Sequence, residues 1–135
     1  MDQLYREKIL DHYRNPRNYG ELEDPDVSQE EYNPLCGDQL TLQLKFDEAD
    51  RVTAVRFHGH GCAISLASAS MMTEMLEGLT RDEVKSMSKH DIVEMLGIPI
   101  GPVRMKCALL PLKAVKAGVC GSQTWMDLGV EEDFQ

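Results

Sequence analysis

Four residues of this sequence, Cys36, Asp38, Cys62 and Cys107, could together bind a metal through thiolate and carboxylate atoms. Only Gly37 separates Cys36 from Asp38 in the stretch NPLCGD, and Cys62 ends the stretch GHGC. A glycine between two anionic side chains gives the backbone the freedom to turn both toward one pocket. Three thiolates and one carboxylate would complete a four-coordinate site suited to zinc or to an iron-sulfur cluster.

A second interpretation applies to each of these residues. Free cysteine is among the most buried residue types, so each thiol can equally be a small hydrophobe in the core. Asp38 can be the first residue of an Asx turn. The chain contains no Cys-x-x-Cys pair, and spacing alone does not identify a metal. The glycines beside Cys36 and Cys62 favour the metal site, because glycine contributes no packing.

The elements that must position these residues follow from the hydrophobic pattern. Residues 2–14 are predicted to be helical, with Tyr5, Ile9 and Tyr13 on one face. The acidic segment 21–32 has little pattern and is predicted to be a surface loop. Alternating apolar residues then predict two strands, at 40–46 and 52–59, which pair as an antiparallel hairpin over 40–58.

Helices follow the hairpin. Residues 63–77 are predicted to form a helix that Gly78 ends, and Thr80 and Ser88 are predicted to cap two shorter helices. The last helix is predicted to begin close to Cys107, because Pro111 deep inside a helix would remove a hydrogen bond to the Cys107 carbonyl. Cys62 and Cys107 would then both lie at helix N-termini, where the helix dipole favours thiolate over thiol.

Other side chains of chemical interest have simpler structural explanations. Cys120 is expected to be a free thiol, and Arg104 is expected to pair with the anionic site or with a carboxylate of a partner. The two histidines around Gly59 are expected to face solvent or to serve a structural role, and three methionines are expected in the core. These residues are His58, His60, Met71, Met72 and Met75.

Length and composition exclude several classes of function. The 135 residues fit one domain, residues 1–135, and 42% apolar with 27% charged residues is typical of a globular protein. A net charge of -9 argues against nucleic acid as a partner, because phosphate binding needs a basic surface. The polar N-terminus has no signal-peptide core and no stretch could span a membrane, so a cytoplasmic location is expected.

Four separated motifs, in order, resemble one known family. They are LYREKILDHYRNPRNYG, NPLCGD, GHGCAISLASASMMTE and VRMKCALLPLKA. Together they are similar to the U-type iron-sulfur cluster assembly scaffolds, the IscU and SufU family that includes the N-terminal domain of NifU. The resemblance extends over about residues 3–118 and leaves 119–135 as a tail. It implies an α+β fold in which a small three-stranded antiparallel sheet packs with about four to five helices (SufE/NifU-like), the third strand lying around residues 26–33.

The resemblance also implies which residues form the site. Cys36, Cys62 and Cys107 would hold a transient [2Fe-2S] cluster, or zinc in the isolated protein, at an exposed end of the molecule. Asp38 matches the family aspartate that makes the cluster easy to release, and a hard carboxylate oxygen is indeed a poor match for an iron-sulfide core. Lys106 stands where IscU-like members have a histidine, and the lysine is typical of SufU-like members.

The function implied is that of a scaffold or carrier rather than a turnover enzyme. A cysteine desulfurase would deliver sulfur, with Cys36, Cys62 and Cys107 as possible persulfide acceptors, and the cluster would pass to apo iron-sulfur acceptor proteins. Lys106 motivates an alternative, a zinc-dependent sulfurtransferase, and a structural zinc module is a third interpretation.

The segment IGPVR at 100–104 departs from the chaperone-binding motif of IscU-like members. Two or three copies of the chain could share a cluster, and no sequence feature fixes the number.

Overall fold

A three-stranded antiparallel sheet and five helices make up the fold, in the strand order β1-β2-β3. The computed structural model describes residues 2–34 and 37–130. The sheet and the helices confirm the α+β class that the family resemblance implies. The elements are α1 Asp2–Arg14, β1 Val27–Asn33, β2 Asp38–Phe46, β3 Val52–His60, α2 Ala63–Leu76, α3 Arg81–Lys85, α4 Lys89–Leu96, α5 Pro102–Cys120 and a short 3-10 helix at Met126–Leu128.

The alternation of β2 determines which face of the sheet is covered. Leu40, Leu42 and Leu44 are buried on the face that packs against the helices. In the register, Leu42 pairs with Gln29 of β1 and with Phe57 of β3. Because side chains alternate along a strand, the intervening polar residues of β2 point to the other face. The helices therefore cover one face of the sheet, as the resemblance implies.

Strand β1 corrects one prediction and confirms another. The acidic segment 21–32 was expected to be a loop, which is wrong for residues 27–32, whereas the third strand implied around 26–33 is confirmed. The hydrophobic pattern is hidden because the inward positions after Val27 are Gln29 and Glu31. Glu31 is nevertheless compatible with a covered face, since its carboxylate accepts a 2.7 Å hydrogen bond from Lys113 of α5.

The last helix also differs from the prediction. Helix α5 begins at Pro102, with Gly101 as its N-cap, and continues through Pro111 to Cys120. Pro102 suits the first turn because it has no N-H to leave unpaired there. Pro111 is accepted in the interior, where α5 is buried against the sheet and α2. Tertiary packing thus outweighs the local cost of an internal proline.

Helix α2 is buried nearly all round, and its small side chains allow this. Ser65, Ala67, Ser68 and Ala69 are all buried. The Ser68 hydroxyl donates a 2.7 Å hydrogen bond to the carbonyl of Ala108 in α5, so the two helices are joined close to Cys107. The predicted caps of the next helices are confirmed, because Thr80 and Ser88 each form a capping box. No helix in the described ranges has the length and apolar character needed to cross a bilayer.

Helix α1 packs on α2 through a buried histidine that the hydrophobic pattern did not identify. The inward face contains Ile9 and His12, while Tyr13 is 42% exposed. The His12 ring nitrogen Nδ1 lies 2.7 Å from the Ser70 hydroxyl, which also accepts a hydrogen bond from the backbone N-H of Arg17. Burial is the main cause that lowers the pKa of His12.

This shift makes the stability of the protein depend on pH. The pKa of His12 in the folded protein lies below its ordinary value of 6.5. The contribution of the neutral His12 ring to the free energy of unfolding is therefore fully present above pH 6.5 and is lost as the pH falls through the folded pKa. We expect His12→Gln to reduce the fall in unfolding free energy between about pH 7.5 and about pH 5.5, measured by urea denaturation. His90→Gln is the matched control, since that side chain is 80% exposed. An unchanged pH dependence in His12→Gln would contradict the assignment.

Candidate metal centre

Three of the four predicted ligands meet at one point in the structure. The ligand atoms of Asp38, Cys62 and Cys107 all lie within 4.8 Å of one another. Asp38 is the first residue of β2, Cys62 is the N-cap of α2, and Cys107 lies inside α5. Cys36, the fourth predicted ligand, falls outside the described residues. Gly37, which follows it, adopts a φ of +75°, as expected for a turn that leads into Asp38.

Asp38 and Cys62 are joined by a hydrogen bond across 24 residues of sequence. The backbone N-H of Cys62 donates to Asp38 Oδ1 at 3.0 Å, and Asp38 Oδ2 lies 3.7 Å from Cys62 Sγ. An Asx turn would instead direct the carboxylate to a backbone group two residues along the chain. The described contacts therefore favour a role for Asp38 at the candidate centre.

Two glycines before Cys62 make this close approach possible. Gly59 has a φ of +140°, and a Cβ at this position would collide with the carbonyl of Gln39 on the neighbouring strand. At Gly61 a Cβ would collide with the Ser65 hydroxyl and lie 3.0 Å from Asp38 Oδ1. The glycines beside the cysteine thus allow a close approach at the site, which is consistent with the sequence argument that they favour a metal site over a cysteine that fills the core.

The thiol of Cys62 is activated by its neighbours. The side-chain hydrogen bond from Cys107 is the largest cause, and the backbone N-H and hydroxyl of Ser65 add to it, so that the pKa of Cys62 is lowered to about 6. Burial and the negative charge of Asp38 act in the opposite direction. Cys62 is therefore largely a thiolate at neutral pH, the form that binds metals and attacks sulfur.

Ser65 was not identified from the sequence, although a signal existed. A residue three positions after the N-cap of a helix is placed to exchange hydrogen bonds with the cap. Ser65 Oγ donates to the Cys62 carbonyl at 3.1 Å and lies 3.7 Å from Cys62 Sγ. The spacing Cys-x-x-Ser at the start of a predicted helix would have indicated this contact.

Cys107 reaches the site from a different position than predicted. It lies in the second turn of α5 rather than at its N-terminus, so the prediction that a helix end favours its thiolate is wrong. Cys107 is only 4% exposed and Asp38 is 3% exposed, whereas Cys62 is half-buried. Among the described ligands, Cys62 is thus the one that solvent and other molecules reach.

The remaining candidates lie outside this cluster. His58 lies 3.6 Å from the Glu21 carboxylate and His60 is exposed, which agrees with the structural or solvent-facing roles expected. Cys120 is an exposed free thiol, as predicted. Met71 and Met72 are in the core, but Met75 is 38% exposed, which corrects that prediction.

The donor set fits a thiophilic metal. Two sulfur atoms and one carboxylate oxygen within 4.8 Å of one another can share one ion, because zinc-sulfur bonds of about 2.3 Å in tetrahedral geometry place neighbouring ligand atoms at such separations. Thiolates prefer zinc and iron-sulfur cores over calcium or magnesium, which take oxygen ligands. The structure thus provides most of a site for zinc or for an iron-sulfur cluster.

Comparisons with known proteins agree with this chemistry. The sequence profile of the family described as the NifU-like N terminal domain matches residues 4–124. The zinc-dependent sulfurtransferase SufU of Bacillus subtilis is 41% identical over an alignment of 136 positions, gaps included, that covers 88% of this chain and 91% of SufU. The iron-sulfur cluster assembly scaffold protein IscU of Azotobacter vinelandii is 39% identical over 118 residues, covering 85% of this chain and 91% of IscU.

Solved structures show the same relationship. The crystal structure of a putative iron-sulfur cluster assembly scaffold protein for the SUF system of Fervidobacterium islandicum superposes with a TM-score of 0.75 at 31% identity, covering 87% of this chain and 97% of that chain. A nitrogen-fixing NifU-like protein (N-terminal) of Brucella abortus superposes with a TM-score of 0.71 at 26% identity, covering 87% of this chain and 93% of that chain. The chain therefore belongs to the NifU-like N-terminal domain family, the U-type iron-sulfur cluster assembly scaffolds.

Proposed function

We propose that this protein is a scaffold on which a [2Fe-2S] cluster is assembled with sulfur from a cysteine desulfurase and then passed to acceptor proteins. The observation that carries the proposal is the convergence of Asp38, Cys62 and Cys107 within 4.8 Å around an activated thiolate. We include Cys36 as the fourth ligand on the basis of its place in the NPLCGD motif. The cluster is cargo in this proposal, so the site has to bind it and also release it.

Of the two possible acceptors that the structure describes, Cys62 is better suited than Cys107 to accept sulfur. Its thiolate attacks the outer sulfur of the desulfurase persulfide, forming a new sulfur-sulfur bond while the old one breaks, and the desulfurase cysteine leaves as a thiolate. No electrons are gained or lost in this exchange. Reduction of the transferred sulfur to sulfide takes two electrons, which a separate reductant protein supplies. The lowered pKa and partial exposure of Cys62 favour the first step.

A second candidate function is that of a zinc-dependent sulfurtransferase. Two observations favour it: the 41% identity to a SufU protein with that name, and Lys106 immediately before Cys107. Against it, the alignment with SufU has 136 positions but covers only 88% of the 135 residues of this chain. SufU therefore contains residues that have no counterpart in this chain. The third interpretation, a structural zinc module, requires a fully enclosed metal, which the partial exposure of Cys62 does not favour.

Anaerobic reconstitution tests the scaffold function. Protein incubated with ferrous iron, a cysteine desulfurase, cysteine and a reductant should gain the visible absorption of a [2Fe-2S] cluster, and Cys62→Ser should lose nearly all of it. Cys120→Ser is the matched control, because that thiol is exposed and outside the site. Full assembly in Cys62→Ser would contradict the proposed site. One tightly held zinc that does not exchange for iron would instead favour the sulfurtransferase.

The partners follow from the same chemistry. A cysteine desulfurase must approach Cys62 to deliver sulfur, and acceptor proteins with free thiolates must approach the same side to take the cluster. Transfer of the cluster to an apo ferredoxin, monitored by the appearance of the absorption spectrum of the loaded ferredoxin, tests the second step. Sedimentation of the reconstituted protein would show whether copies of this chain share one cluster, since no described contact fixes an oligomeric state.

A further inference from the structure

The two described thiols of the metal centre belong to different helices, and a buried hydroxyl joins those helices. Cys62 is the N-cap of α2 and Cys107 lies in α5, yet the two side chains are hydrogen-bonded and their sulfur atoms lie within 4.8 Å of each other. Ser68 of α2 is fully buried. Its hydroxyl donates a 2.7 Å hydrogen bond to the carbonyl of Ala108, the residue after Cys107. The backbone of α5 is therefore tied to α2 directly beside the Cys107 ligand.

The Cys107 turn, defined as residues 107–111 of α5, is weakened from within by a proline. In a regular helix the N-H of residue 111 donates to the carbonyl of residue 107, but Pro111 has no N-H. This turn thus has one intrahelical hydrogen bond fewer than a regular turn. The hydroxyl of Ser68 binds the same turn from outside, at Ala108. It therefore restrains the part of α5 that its own backbone holds least firmly.

Ser70 provides a comparison within the same helix. It is fully buried, like Ser68. Its hydroxyl lies 2.7 Å from Nδ1 of His12 in α1 and accepts a hydrogen bond from the backbone N-H of Arg17. Ser70 therefore ties α2 to α1 and to the segment that follows it, whereas Ser68 ties α2 to α5. Of these two connections, the one made by Ser68 reaches the helix that contains Cys107.

We propose that Ser68 is a positioning residue of the metal centre, whose hydroxyl holds the Cys107 turn against α2 and so sets the separation of the two thiols. Because Pro111 weakens this turn, loss of the hydroxyl lets the turn move away from α2. Metal binding must then draw the two thiols together again, which lowers the affinity. The proposal rests on the proposed function only in taking Asp38, Cys62 and Cys107 as metal ligands.

Cobalt is the probe for the test, because Co(II) binds thiolates and then shows a sulfur-to-metal charge-transfer band. The full-length protein is titrated with Co(II) in competition with a chelator, and the intensity of the band gives the affinity. We expect Ser68→Ala to weaken Co(II) binding about tenfold, the lower end of the range for residues that orient metal ligands. The variant should fold, because it removes a single oxygen atom and introduces a strong helix former.

Ser70→Ala is the matched control for a general loss of stability. It removes a buried hydroxyl from the same helix, together with the contacts to His12 and Arg17. It should therefore lower the melting temperature at least as much as Ser68→Ala. Its affinity for Co(II) should nevertheless equal that of the parent protein, because the tie to α5 is intact. Equal losses of affinity in the two variants would overturn the proposal.

Pro111→Ala tests the part played by the proline. Alanine restores an N-H that can donate to the carbonyl of Cys107, so the helix itself should hold the turn. In the Pro111→Ala background, Ser68→Ala should therefore weaken Co(II) binding by no more than about twofold, since the two substitutions act on the same turn. A full tenfold loss in that background would also overturn the proposal.

Hydrogen exchange of the metal-free protein provides a readout that depends on no metal. Ser68→Ala should raise amide exchange in peptides that cover the Cys107 turn, whereas Ser70→Ala should raise it in α1. Parent-like Co(II) affinity or parent-like exchange in Ser68→Ala, or no Co(II) bound by the parent protein, would each overturn the proposal. If Co(II) binding depends on Ser68 as expected but no [2Fe-2S] cluster assembles, the scaffold function fails while this inference stands.

Discussion

Replacement of Asp38 by alanine should make the assembled cluster persist about ten times longer during transfer to an apo acceptor, a change of about 1.4 kcal/mol in the barrier to release. Asp38 places a hard oxygen beside the sulfur atoms of Cys62 and Cys107, and its negative charge acts to raise the pKa of Cys62. In the proposed site Asp38 is the exchangeable ligand, and its removal would close the position through which an acceptor thiol enters. The decay of cluster absorption in the presence of the acceptor measures the effect.

Asp38→Asn is the matched control for this experiment. The amide oxygen can still accept the hydrogen bond from the Cys62 N-H, but the negative charge is gone. If the negative charge of Asp38 governs release, Asn should behave like Ala. If the geometry of Cys62 governs it, Asn should behave like the parent protein. Faster loss of cluster from a folded Asp38→Ala protein would refute the weak-ligand account.

The second large effect concerns the reactivity of Cys62 in the metal-free protein. With a pKa of about 6 instead of the ordinary 9.0, about half of Cys62 is thiolate at pH 6, compared with about 0.1% for an ordinary thiol. The lower pKa also reduces intrinsic nucleophilicity, by roughly 20-fold to 30-fold over three pKa units. The net expectation is alkylation by iodoacetamide roughly 20 times faster at pH 6 than for an ordinary thiol.

The sign of the pH dependence is fixed by the direction of the shift. The thiolate is present above about pH 6 and is lost as the pH falls below it, so the rate profile should have its midpoint near pH 6. Cys107→Ala removes the largest cause of the shift and should move the midpoint upward, and Ser65→Ala should move it less. Peptide mapping by mass spectrometry follows Cys62 separately and uses the exposed Cys120 as an internal reference. A midpoint in Cys107→Ala that equals the parent value would contradict the assigned cause.

Three of the four candidate ligands predicted from the sequence lie together in the structure, whereas two elements of the fold were predicted wrongly from the local pattern. Side-chain chemistry and the adjacent glycines favoured Asp38 and Cys62 as candidates, because those features are local, whereas Cys107 has no neighbouring glycine and was supported mainly by the family resemblance. Strand β1 could be inferred only from the family resemblance, since Gln29 and Glu31 occupy inward positions where a pattern rule expects apolar residues. An ion pair formed with Lys113, far along the chain, makes Glu31 acceptable there, and no local rule contains that information.

The start of α5 shows a different limit of prediction from local sequence. An internal proline predicted that the helix begins near Cys107, and by local energetics that expectation is sound. The structure instead extends the helix back to Pro102, because burial against the sheet and α2 outweighs the proline penalty. The contact between Lys106 and Trp125 was equally inaccessible, since it joins α5 to a tail with no periodic pattern. Packing between distant segments decided all of these cases.

The position of Cys107 inside α5 has a mechanical consequence. Asp38 and Cys62 lie at ends of elements, where small backbone rotations can adjust them one at a time, but Cys107 moves only with its helix. The segment from Cys107 to Cys120 is about 20 Å long, so a tilt of about 5° around its far end displaces the thiol by nearly 2 Å, roughly the length of a metal-sulfur bond. A partner protein that binds α5 and tilts it would therefore move Cys107 away from Asp38 and Cys62, and so open the site, without contacting any of the three residues.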